Sequence, residues 1–64
     1  MAIHLKAARV NANLTQEEAA KRIGVSKGTL ASYEAYKTKP DIETAKSLAA
    51  IYNMSVDDII FFEE

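Results

Sequence analysis

Two hydroxyl residues eleven positions apart, Thr15 and Ser26, bracket the stretch that most limits how this chain can fold. Each precedes a run of helix-forming residues, where its side-chain oxygen can accept a backbone N–H that a helix start leaves unpaired. Thr15 is followed three residues later by Glu18, the reciprocal arrangement in which both side chains cap one turn. Gly24 lies between the two runs, and glycine accepts the positive φ of a tight helix end. The pattern predicts two short helices, Thr15 to Ile23 and Ser26 to Ala35, joined by a turn of about three residues. Ala19, Ala20, Ile23, Val25, Leu30 and Tyr33 are the expected inward-facing residues, with Ala20 small where the second helix must cross closely.

Sixty-four residues make one small domain, read here as residues 1–64, with no room for a separate ligand domain. There is no cysteine and one histidine, His4, so neither a disulfide nor a metal cluster is expected, and no cofactor or small-molecule ligand. The core must therefore stabilise the fold, helped by dimerisation. No signal peptide and no apolar run near 20 residues are present, which predicts a soluble, cytoplasmic chain with no membrane partner. The net charge of −1 hides a split. Residues 1–39 carry seven cations against three acids, a net +4, whereas residues 40–64 carry one cation against six acids, a net −5. Opposite faces of opposite sign suit a protein that binds nucleic acid on one side; clustering on solvated helices is the plainer alternative.

The remaining elements also read as helical. Leu5, Ala8 and Ala12 form one apolar stripe on a first helix over residues 3–12, with Lys6 off that stripe and His4 at a solvated start. Asp41, after Pro40, caps a helix whose buried stripe is Ile42, Ala45, Leu48, Ala49 and Tyr52, and Asn53 suits its left-handed end. Ser55 caps a last short helix over residues 56–60, with Asp57 and Asp58 in its first turn. Phe61 and Phe62 are adjacent, so both cannot face a core this small. At least one belongs to an exposed or interface surface, and Ile59, Phe61 and Phe62 are the candidate dimer contacts.

Several side chains fit contact with DNA. Gln16 stands at a helix start, where free N–H groups and the dipole favour an anion; it is equally an ordinary polar helix-start residue. On the second helix the positions left exposed are Lys27, Gly28, Thr29, Ala31 and Ser32. Lys27 can donate to guanine or phosphate, and Thr29 and Ser32 can bond either. Gly28 destabilises a helix by roughly 1 kcal/mol relative to alanine, which close approach to a large partner would justify. Glu34 is the one acid on this helix, and Arg9, with its planar fork, is its expected partner. The loop after it offers Tyr36, Lys37 and Lys39 to the phosphate backbone.

The order of these pieces closely resembles the phage repressor and Cro-type (Xre-type) helix-turn-helix family. The residues that carry the resemblance are LTQEEAAKRIGVSKGTLASYE (14–34), KTKP (37–40) and ETAKSLAAIYNMSVDDII (43–60). It implies an all-α fold, a compact five-helix bundle of the lambda-repressor-like DNA-binding type, with the motif at 16–35. It implies a sequence-specific DNA-binding transcriptional regulator, a repressor acting as a homodimer on a palindromic double-stranded operator. By position, Gln16 resembles a phosphate contact, Lys27, Gly28 and Ser32 base-facing residues, Lys37 and Lys39 the phosphate-contacting loop, and Arg9 with Glu34 a buried pair. Two features depart from the family pattern. Ala35-Tyr36 stands where Asn-Gly or Arg-Gly precedes the loop lysine, and no Gln, Asn or Arg lies between Ser26 and Ala35. Readout is then expected to rest on Lys27, on thymine-methyl contacts and on DNA shape. The alternative is a protein-interaction module of the same fold without DNA binding. No nucleophile–base pair, metal cluster or phosphate-binding glycine loop argues for an enzyme.

Overall fold

A computed structural model describes residues 1–63. The chain forms β1 (Ile3–His4), α1 (Leu5–Asn11), α2 (Gln16–Ile23), α3 (Lys27–Glu34), α4 (Ile42–Ile51), a single 3₁₀ turn (Val56–Asp58) and β2 (Ile59–Ile60). Each helix after the first begins with a side-chain cap. Thr15 Oγ1 accepts from Glu18 N at 3.1 Å while Thr15 N donates to Glu18 Oε1 at 2.9 Å. Ser26 Oγ accepts from Thr29 N at 3.0 Å, and Asp41 Oδ1 from Thr44 N at 2.8 Å. The Thr15 and Thr44 amides hold the Glu18 and Asp41 carboxyls below the ordinary range. Both caps therefore act in full above that range and weaken as pH falls through the lowered pKa values.

The four helices also end alike. Asn13, Gly24, Tyr36 and Asn53 take positive φ, at 60°, 77°, 61° and 61°. The next residue in each case donates its N–H to the carbonyl five residues back: Leu14 to Arg9, Val25 to Ala20, Lys37 to Ser32 and Met54 to Ala49. This is the Schellman closure, which asparagine and glycine adopt easily and tyrosine does not. Leu14, Val25 and Met54 then pack against the core. Lys37 is exposed, so the end of α3 lacks that apolar anchor.

Leu5, Leu30 and Leu48, from α1, α3 and α4, are fully buried at the centre. Ala8, Ala19, Ala20, Ala45 and Ala49 surround them, small enough to let the helix backbones approach closely. Ile59 and Phe61 close the core from the C-terminal side.

Three sequence expectations are corrected. Among the described residues there are four α-helices, not five, because 56–60 divides into one 3₁₀ turn and a strand. Ile59 and Ile60, both β-branched, instead pair in parallel with β1, Ile3 opposite Ile59 and His4 opposite Ile60. That pairing also takes residues 3 and 4 out of the first helix, which starts at Leu5. Ile42 is 61% exposed. It opens α4, whose buried stripe begins one turn later at Ala45.

Candidate nucleic-acid interface

Leu30 in the core and half-buried Tyr33 against it turn the other side of α3 outward. Lys27 and Gly28 are exposed there, and Thr29, Ala31 and Ser32 are half-buried. Thr29 is less free than its position implied, because its hydroxyl is hydrogen-bonded to Ser26 Oγ at 2.8 Å. A Cβ on Gly28 would meet only Ser26 Oγ, at 3.9 Å, so nothing inside the chain requires glycine. Gly28→Ala should therefore raise stability by about 0.5–1 kcal/mol, read in chemical denaturation. If that surface lies against DNA, the same substitution should leave affinity unchanged or lower it; a gain in affinity would contradict close approach.

Glu34 is turned inward. Its side chain is 4% exposed and receives a fork from Arg9, Nε to Oε2 at 2.7 Å and Nη2 to Oε1 at 3.2 Å. Arg9 Nη1 also donates to the Leu14 carbonyl at 2.8 Å, and the bond to Glu34 raises the guanidinium pKa further. Gln16 Nε2 donates to Glu34 Oε1 at 2.9 Å. The network thus ties α1, the start of α2 and the end of α3 at one point. Gln16 keeps a second amide hydrogen for an outside acceptor. Tyr52 is buried with no partner for its hydroxyl among the described residues, and burial, then the charge of Glu34, pushes that group up to about 12. Tyr52→Phe should be neutral or stabilising by up to about 1 kcal/mol, since it removes only an unsatisfied oxygen. A larger loss in thermal unfolding would show that the hydroxyl has a partner.

In front of this network, Lys6, Arg9, Thr15, Gln16, Glu17 and Lys27 line an open cleft of about 540 Å³. It brings together the start of α2 and the start of α3. Lys6 is the residue the sequence reading passed over. Its spacing of three from Arg9 on α1 was the available signal, because residues three apart share a helix face.

The loop residues divide. Lys37 and Lys39 are exposed, and the Lys39 ammonium lies 4.9 Å from the centre of the Phe62 ring. Tyr36 is directed elsewhere: its hydroxyl bonds His4 Nδ1 and donates to the Ile60 carbonyl at 3.3 Å. Its polar atom is thus engaged within the chain, where the loop leaves α3. The dimer candidates divide too. Ile59 and Phe61 are 5% and 9% exposed, spent in this chain's own core, and only Phe62, at 55%, offers a free face.

A helix-turn-helix family model matches residues 5–59, spanning α1 through the first residue of β2. The chain belongs to the Xre-type helix-turn-helix family of DNA-binding transcriptional regulators. Among its relatives is an HTH-type transcriptional regulator of Archaeoglobus fulgidus, 38% identical over 64 residues, which cover all of this chain and 90% of that protein. A second, from Methanocaldococcus jannaschii, is 37% identical over 60 residues, 94% of this chain and 91% of the relative. The cryptic phage CTXphi transcriptional repressor RstR of Vibrio cholerae is 38% identical over 52 residues, 81% of this chain and 47% of RstR. No solved structure gives a significant match. No helix among the described residues is long and apolar enough to cross a membrane.

Proposed function

We propose that residues 1–64 form one DNA-binding domain of a transcriptional repressor, which acts as a homodimer on a palindromic operator. The observation that carries this reading is the inward turn of Glu34 onto Arg9. It removes the one carboxylate of α3 from the outer surface and leaves Lys27, Gly28, Ala31 and Ser32 facing out with no acid among them. A major groove admits a helix of this kind, and small side chains let its backbone come close. Lys27 is the principal base reader, with Ala31 and Thr29 offering methyl groups to thymine. Lys6, Lys37, Lys39 and the second amide hydrogen of Gln16 hold flanking phosphates, which set position without reading sequence.

A dimer places two copies of α3 roughly 34 Å apart, one turn of DNA, and Phe62 is its contact residue. The repressor named among the relatives supports the direction of regulation. Bound in this way the protein resides in the cytoplasm on the nucleoid.

Selecting bound duplexes from random sequence tests the reading in one experiment. Recovered sites should show two half-sites of inverted symmetry. Enrichment of a single asymmetric site would remove the dimer. Absence of any salt-dependent DNA affinity would leave the interaction module as the function of this fold.

A further inference from the structure

We infer that the C-terminal segment Ile60–Phe62 positions the DNA-contacting loop 36–39, and that Phe62 is the positioning residue for Lys39. The inference rests on the DNA-binding reading above. Its starting point is the end of α3, which differs from the other three helix ends in two ways. Tyr36 occupies the left-handed position that Asn13, Gly24 and Asn53 fill elsewhere. Lys37 follows it where Leu14, Val25 and Met54 anchor the other ends in the core. A loop leaving such an end has no local apolar tether. It is held instead by residues more than twenty positions away.

The ties are specific. Tyr36 Oη donates to the Ile60 carbonyl, and His4 Nδ1, from the strand paired with β2, bonds the same hydroxyl. His4 and Ile60 face each other across the two-stranded sheet, so both flanks of the Tyr36 hydroxyl belong to it. Three residues on from Tyr36, the Lys39 ammonium sits over the Phe62 ring. A cation held on a ring face keeps its N–H donors available on the other side, so the contact orients Lys39 without consuming it. Ordering a long lysine side chain before DNA arrives removes part of the entropy loss of binding. Phe62 is also the exposed apolar residue of this end.

The test uses the full chain with Phe62→Leu, Lys39→Ala and the double variant. Leucine keeps an apolar side chain for contact between copies and removes only the aromatic face. In the wild-type chain the Lys39 ε-CH₂ protons should resonate upfield, shielded by the ring, and Phe62→Leu should return them to the random-coil position. Exposed cation–π contacts contribute enough to predict that Phe62→Leu weakens binding to operator and random duplex alike, by about two- to fivefold. In the Lys39→Ala background the same substitution should change nothing. An equal loss in that background, no loss in the wild-type background, or an unshielded Lys39 overturns the inference. Wild-type protein with no salt-dependent affinity for any duplex defeats the DNA-binding reading itself, and the proton shift still reports whether Phe62 holds Lys39.

Discussion

Glu34→Ala is expected to lower the stability of this domain by about 3–5 kcal/mol, the loss seen when one partner of a buried ion pair is removed. The guanidinium of Arg9, 10% exposed at the side chain, would keep only the Leu14 carbonyl as acceptor. Gln16 would lose its acceptor as well. A chain of this length has a total stability of only about 3–10 kcal/mol, so the variant should be largely unfolded at physiological temperature. Circular dichroism during urea unfolding reads this directly. Glu34→Gln should lose less, because its amide oxygen still accepts from Arg9. A joint replacement, Arg9→Met with Glu34→Leu, should recover much of the loss, since packed apolar residues replace buried pairs well. Additive losses for Arg9→Ala and Glu34→Ala in a double-mutant cycle would show that the two groups are not coupled.

The second large effect separates two lysines by what their loss does to DNA binding. Lys27→Ala should weaken the operator by about 1–3 kcal/mol, concentrated at one base position, with random DNA affected much less. Lys37→Ala should weaken operator and random duplex about equally and reduce the salt slope by about 0.9. Affinities measured across a salt series on both duplexes make the distinction. Equal losses on both for Lys27→Ala would remove it from the base-reading set.

These predictions rest on features that differ in how visible they are in the sequence. The starts of α2, α3 and α4 were legible because Thr15, Ser26 and Asp41 cap groups only three residues away. Chain chemistry at that distance hardly depends on the rest of the fold. The Arg9–Glu34 pairing followed from electrostatic reasoning, since an acid on a DNA-facing helix needs a cation and Arg9 has the geometry for a fork. Gln16 as a third member was not legible, because nothing in its neighbourhood shows that the start of α2 meets the end of α3. The strands were missed for a related reason. Two residues pairing with two others at the far end of the chain leave no periodicity to detect.

The sequence by itself determined where three of the helices begin, most of the apolar stripes that bury, and which helix carries the outward face. It did so because caps and helical periods are local, set within one or two turns. Tertiary structure alone decided which phenylalanine turns inward, that Ile42 stays in solvent, and that Tyr36 anchors the loop. Each of those outcomes depends on elements packed together from distant parts of the chain. Burial and long-range hydrogen bonding are properties of that packing, and no spacing rule along the chain carries them.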